Sequence, residues 1–123
     1  KPLEEDPWAI EDKARKEITP FLVRGDSCNM PFPERYFDTV ISINNACAYP
    51  LEECKKIIQE IKRVSKNNGR LSYIQNDSWR NEEERQRLMD WTLLCKTFLD
   101  TQEWQSLYQE LGYQGDWGYT IIE

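Results

Sequence analysis

Apolar residues recur along the chain in blocks whose spacing predicts an alternation of strands and helices. The clearest helix follows Pro50, where apolar residues recur at three- and four-residue steps and therefore share one face. They are Leu51, Cys54, Ile57, Ile58, Ile61 and Val64. The stretch Asn67-Asn68-Gly69 ends this helix, because glycine readily takes the left-handed conformation of a helix C-terminus.

Three more helices are predicted on either side of this one. One runs from Trp8 to Ile18, and the other two start at about Asn81 and at Asp100. Each of the last two begins with a capping-box pattern, since a glutamate stands three residues after the capping side chain. The helix from Asn81 is predicted to reach Leu99. Its inner stripe is Leu88, Trp91, Cys95, Phe98 and Leu99.

Four short β-branched or apolar runs bounded by polar residues predict strands. They cover Phe21–Val23, Thr39–Asn44, Leu71–Gln75 and Tyr119–Ile122. Strands separated by helices indicate a single layered α/β domain with a mostly parallel sheet.

Polar pairs follow three of these strands. They are Gly25-Asp26, Asn44-Asn45 and Asn76-Asp77. Parallel sheets bind ligands beyond the carboxyl ends of their strands, so these pairs predict a site for a polar small molecule. Any one pair could equally be an ordinary turn. Three at one edge of a sheet favour a site.

Charge and residue content narrow the chemistry. The net charge of −6 disfavours binding to nucleic acid. The chain has no histidine, which excludes Ser–His and Cys–His nucleophile pairs and histidine-ligated metals. Any proton transfer must use another group, so we expect chemistry in which the protein mainly positions its reagents.

The four cysteines, at positions 28, 47, 54 and 95, have no C-x-x-C spacing. We therefore expect small hydrophobic side chains in a reducing compartment, the cytoplasm, and no metal site. No apolar run approaches the roughly 20 residues of a membrane span.

Three stretches together resemble the class I S-adenosylmethionine-dependent methyltransferases. The first comprises VRGD at 23–26, MPFP at 30–33 and FDTVIS at 37–42, similar to the "GD…LPF…FDxVxS" pattern of the family. The second runs from Glu60 to Leu71 and resembles "E-x-x-RV-LKPGG-x-L". The third, Asp100 to Tyr113, resembles a late helix that ends in "GF". The resemblance implies a Rossmann-like α/β sandwich, S-adenosylmethionine as cofactor and a small-molecule methyl acceptor.

The resemblance also implies roles for individual residues. Asp26 matches the acidic residue that hydrogen-bonds the adenine amino group. The other implied cofactor contacts are Ser27 beside the adenine, Asn44 and Asn45 at the methionine end, and Glu4 at the ribose. The implied substrate contacts are Asp77, Trp79 and Arg80.

A general base is optional, because the methyl donor is already activated. Asp77 and Tyr49 are the candidates. The alternative for Tyr49 is a packed aromatic beside Pro50, and the alternative for Trp79 is a cover over the core.

The family's glycine-rich loop after its first strand has no counterpart among the five glycines. The chain matches the C-terminal part of the domain, and the strand at Phe21–Val23 would then lack a neighbour. Three explanations stay open: a missing N-terminal segment, pairing with another chain or with a copy of itself by exchange, or a methyltransferase-like binding or scaffolding module without cofactor.

Overall fold

A computed structural model describes residues 16–17 and 21–123 of the chain. Within them, three parallel strands form one sheet in the order β1-β2-β3. The strands are β1 (Ile41–Ile43), β2 (Tyr73–Asp77) and β3 (Asp116–Thr120). Ile41 of β1 is paired with Tyr73 of β2, which in turn is paired with Asp116 of β3. The predicted α/β class with a parallel sheet is confirmed.

Between residues 21 and 123, three helices accompany the sheet, namely α1 (Leu51–Val64), α2 (Glu82–Trp91) and α3 (Thr101–Glu110). Short 3-10 turns cover Ala46–Ala48 and Lys66–Gly69. None of the helices in the described part of the chain is long and apolar enough to cross a membrane.

One face of the sheet carries the hydrophobic core. Ile74 of β2 is fully buried there, together with the apolar stripe of α1 and the buried stripe of α3. The α1 side chains are Cys54, Ile57, Ile58 and Ile61, and the α3 side chains are Trp104, Leu107 and Tyr108. The stripe predicted for α1 therefore does face the core, apart from Leu51, which is exposed.

The other face of the sheet is open at β1. Ile41 and Ile43 are 65% and 57% exposed, while Ser42 between them is buried. Successive side chains of a strand point to opposite faces, so this alternation shows that the core lies on one side of β1 only.

The strand predicted at Phe21–Val23 is wrong. These residues form no strand and are all exposed. A strand requires a partner for its backbone hydrogen bonds, and no strand of the described chain pairs with this segment.

The helix predicted from Asn81 to Leu99 ends early, at Trp91. Thr92 has extended backbone angles and its hydroxyl accepts a hydrogen bond from the Cys95 amide at 3.1 Å. Residues 93–99 continue as a loop, whose Lys96 and Thr97 amides both donate to the Cys47 carbonyl. Tertiary contacts thus replace the last two helical turns that the apolar spacing predicted, and Trp91 is exposed rather than inward.

The starts of α2 and α3 and the end of α1 were predicted more accurately than the end of α2. Asn81 accepts from the Glu84 amide at 3.0 Å, and Asp100 forms a full capping box with Glu103. Gly69 is left-handed, with a φ of 81°, as the predicted stop requires. Both later strands lie a few residues from their predicted bounds. The helix predicted at Trp8–Ile18 falls outside the described residues except at 16 and 17, which are helical.

Candidate functional site

The carboxyl ends of the three strands meet at one edge of the sheet. Directly after β1, Asn44 takes a left-handed conformation with a φ of 52°, which asparagine tolerates better than most residues. Its amide donates to the Gln75 carbonyl at 2.7 Å, and its side-chain oxygen accepts from the Thr120 hydroxyl at 3.1 Å. Asn44 therefore links β1 to β2 and β3 at the edge where parallel sheets hold ligands.

A cavity of about 430 Å³ opens at this edge. Its wall includes Asn44, Cys47, Asp77, Trp91, Leu94 and Cys95. The volume lies within the roughly 300–1,000 Å³ range of small-molecule sites. The sequence placed Asn44 and Asp77 at one sheet edge, and both do line this cavity.

Asp77, the last residue of β2, is 6% exposed. Its Oδ2 lies 3.9 Å from the Cys47 Sγ, and its Oδ1 is buried without a hydrogen-bond partner. Burial raises the pKa of this carboxyl, because a charged form is poorly solvated there. Its backbone is held firmly, since the Trp104 indole donates to the Asp77 carbonyl at 3.2 Å.

Two cysteine thiols lie beside this carboxylate. The reactive atoms of Cys47, Asp77 and Cys95 all lie within 4.8 Å of one another. A hydrogen bond from the Cys95 thiol lowers the pKa of Cys47, and the same bond together with burial raises the pKa of Cys95. Both cysteines were predicted to be packing residues. The early end of α2 brings Cys95 next to Cys47, and the spacing of the two cysteines in the sequence does not predict that approach.

A second cavity, a groove of about 300 Å³, lies along the free edge of β1 in the described sheet, beside α1. Ser27 and Asn45 both line it, together with Ser42 and Met30. Asn44 lines the larger cavity and Asn45, the next residue, lines this groove, so both open near the end of β1.

Asp26 and Ser27 also line a neighbouring pocket of about 200 Å³. Asp26 is exposed, and its Oδ1 accepts a hydrogen bond from the Cys28 amide at 2.8 Å. That bond forms a local turn, the ordinary alternative for such a residue.

Three predicted residues lie elsewhere. Arg80 forms an ion pair with Glu84, and the Arg85 guanidinium lies 5.8 Å from the centre of the Trp79 ring. Neither Arg80 nor Trp79 lines the cavity beside Asp77, and neither does Tyr49, whose carbonyl accepts from the Thr97 hydroxyl at 2.6 Å. Their roles in substrate binding or proton transfer stay predictions. Glu4 lies outside the described residues.

A protein-family model described as a methyltransferase domain matches residues 6–73. This match covers more than half of the chain and includes β1, α1 and the start of β2. Searches of the curated proteins and of the solved structures give no significant match.

Proposed function

The chain belongs to the class I methyltransferase-domain family, and from this premise we propose that it transfers a methyl group from S-adenosylmethionine to a small-molecule acceptor. One observation carries the proposal: the adjacent residues Asn44 and Asn45 line two separate cavities near the end of β1, on the sheet edge where such folds hold ligands. We assign the groove at Ser27 and Asn45 to the cofactor and the cavity at Asn44 and Asp77 to the acceptor.

The cofactor assignment follows the order of polar groups along the edge. Ser27 lines the groove and, together with Asp26, the neighbouring pocket, and the family resemblance puts the adenine at these two residues. Asn45 lines the groove and Asn44 lines the larger cavity, and the resemblance puts the methionine portion at this pair. The exposed Asp26 carboxylate is an acceptor for the adenine amino group, and the hydrogen bond from the Cys28 amide to its Oδ1 keeps the loop in place.

The acceptor assignment rests on size and charge. A volume of about 430 Å³ suits a metabolite better than a long polymer. The net charge of −6 argues against a nucleic-acid acceptor. The four cysteines are all free thiols, which suits a reducing compartment, and we therefore propose a cytoplasmic location.

The reaction asks little proton chemistry of the protein. The sulfonium already activates the methyl group. The acceptor's lone pair attacks the methyl carbon while the bond between that carbon and sulfur breaks. S-adenosylhomocysteine leaves, and the acceptor's proton passes to solvent or to a nearby base. The protein contributes by aligning the two reactants and excluding water. If a base takes part, Asp77 is the better placed of the two candidates, because it lines the acceptor cavity and Tyr49 does not.

Titration calorimetry of the intact protein with S-adenosylmethionine tests the cofactor half of the proposal. We expect one saturable site. Asp26→Ala should weaken binding by about 1–3 kcal/mol, because the adenine amino group loses its acceptor. Asp116→Ala is the matched control, since this exposed aspartate at the start of β3 lines neither cavity, and it should leave affinity unchanged. Equal affinities for the two variants would move the adenine site elsewhere.

A further inference from the structure

The cluster at the cavity wall has a composition that packing does not explain. Two thiols and one carboxylate converge from three different parts of the chain: the turn after β1, the end of β2 and the loop after α2. Cys47 is 1% exposed and Asp77 is 6% exposed. Side chains that can become negative rarely gather in a buried place without a positive partner.

No such partner is present in the described part of the chain. None of its ion pairs includes Asp77, and the Oδ1 atom of Asp77 has no hydrogen-bond partner. A buried carboxylate oxygen without a partner destabilises the folded protein, because it has lost its hydrogen bonds to water. A cation bound at this point would remove that destabilisation.

We propose that Cys47, Asp77 and Cys95 bind a thiophilic divalent cation, with Zn²⁺ as the ion best suited to the donor set. Two thiolates and one carboxylate match zinc's preference for sulfur and its acceptance of oxygen, whereas Mg²⁺ and Ca²⁺ prefer oxygen donors alone. Three protein ligands leave the fourth position for water or for a molecule in the cavity.

The geometry is close to what a tetrahedral site needs. Zinc at normal bond lengths holds a sulfur and an oxygen ligand about 3.5 Å apart and two sulfurs about 3.8 Å apart. The Cys47 Sγ and Asp77 Oδ2 are 3.9 Å apart, and all three donor atoms fall within 4.8 Å. Small side-chain rotations of Cys95, which is only half-buried, would complete the site. Binding would release the two thiol protons to solvent.

A Cys47–Cys95 disulfide is the competing use of these thiols. It would remove the Cys47 thiol that donates to the Asp77 Oδ2 and would leave Oδ1 still without a partner, whereas a metal ion uses all three groups. The site lines the cavity that we assign to the acceptor, but its test is independent of methyl transfer, because it needs neither cofactor nor acceptor.

Cobalt titration of the reduced, metal-free protein under anaerobic conditions tests the site. We expect one equivalent of Co²⁺ to bind with the strong near-ultraviolet absorption of cobalt–thiolate bonds, and Zn²⁺ to displace it. Cys95→Ser should remove about half of that absorption, since one of two thiolates is lost. Asp77→Asn should keep the thiolate absorption but weaken the affinity for cobalt. We expect a loss of more than about tenfold, because removal of a group that only hydrogen-bonds a ligand already costs about that much.

Cys28→Ser is the matched control, because this half-buried thiol lies outside the cluster, and it should bind cobalt like the wild type. A second readout needs no variant: Zn²⁺ should protect Cys95 of the wild type, but not Cys28, from alkylation measured by peptide mass spectrometry. Absorption undiminished in Cys95→Ser, absence of cobalt binding by the wild type, or no protection of Cys95 would each overturn the proposal. A Cys47–Cys95 disulfide that resists the reductant would also overturn it.

Discussion

At the scale of single residues, Arg80 and Glu84 show how an exposed charge can have a structural role. The resemblance implied that Arg80 contacts substrate. In the structure both its amide and its guanidinium donate to the Glu84 carboxylate, whose side chain is only 7% exposed. This pairing ties the loop after β2 to the first turn of α2.

The pair gives a pH prediction. The Arg80 guanidinium lowers the pKa of Glu84 to about 2, below the about 4.3 of an unfolded glutamate. Because the folded-state pKa is the lower one, the stabilisation is present above the unfolded value and is lost as pH falls towards about 2. Urea unfolding should therefore show wild type more stable than Glu84→Gln at neutral pH, with the difference shrinking in acid.

Glu82→Gln is the control, since this glutamate in the same helical turn is 78% exposed in its pair with Arg85. Its difference from wild type should stay near zero at every pH. A Glu84→Gln difference that does not change with pH would contradict the role assigned to the pair.

The cysteines show what residue patterns cannot predict. The apolar spacing correctly put Cys54 in the core, because a stripe on one helix is a local property. The approach of Cys47 to Cys95 depends on where α2 stops and on the hydrogen bonds that residues 96 and 97 make to Cys47. Those contacts are long-range, and no local pattern encodes them.

At the scale of elements, the helix starts were predictable and one helix end was not. Capping side chains lie next to the backbone groups that they satisfy, so Asn81 and Asp100 could be identified from sequence. The end of α2 is set by Thr92 and by contacts with Cys47, and the stripe through Leu99 was therefore misleading.

The capping box of α3 gives a second prediction. The Asp100 side chain accepts from the Glu103 amide at 2.8 Å, and the Glu103 carboxylate accepts from the Asp100 amide at 3.1 Å. Asp100→Ala should lower the free energy of unfolding by about 0.5–2 kcal/mol, measured by urea denaturation. Asp100→Asn should retain most of the stability. Glu110→Ala, at the exposed other end of α3, should change it little. Equal losses for Asp100→Ala and Glu110→Ala would show that the cap contributes nothing.

At the scale of the whole molecule, the sheet is packed on one face and open at β1 on the other. This arrangement gives a comparison between identical residue types. Ile58 of α1 is fully buried, whereas Ile43 of β1 is 57% exposed. Ile58→Ala should destabilise the protein by about 2–5 kcal/mol, because it removes core contacts and leaves a cavity.

Ile43→Ala should cost no more than about 0.5 kcal/mol in the same urea measurement, as surface substitutions usually do. A loss at Ile43 as large as that at Ile58 would mean that the β1 face is covered in the folded protein.

The order of strands and helices was sufficient to predict the fold class and the sheet edge at which the larger cavity lies. Period and composition specify the parallel sheet, and Asn44 and Asp77 follow from it as the residues at its carboxyl edge. Phe21–Val23 form no strand, because none of the described strands pairs with them. An apolar run alone does not reveal whether a pairing strand is present.

A methyl-transfer assay tests the proposed function most directly. The intact protein is incubated with S-adenosylmethionine carrying a labelled methyl group and with a cell extract separated into small-molecule and macromolecular fractions. We predict formation of S-adenosylhomocysteine and label in the small-molecule fraction, both dependent on the protein and both reduced in Asp26→Ala. No S-adenosylhomocysteine above the protein-free control, or label in macromolecules alone, would contradict the proposed function.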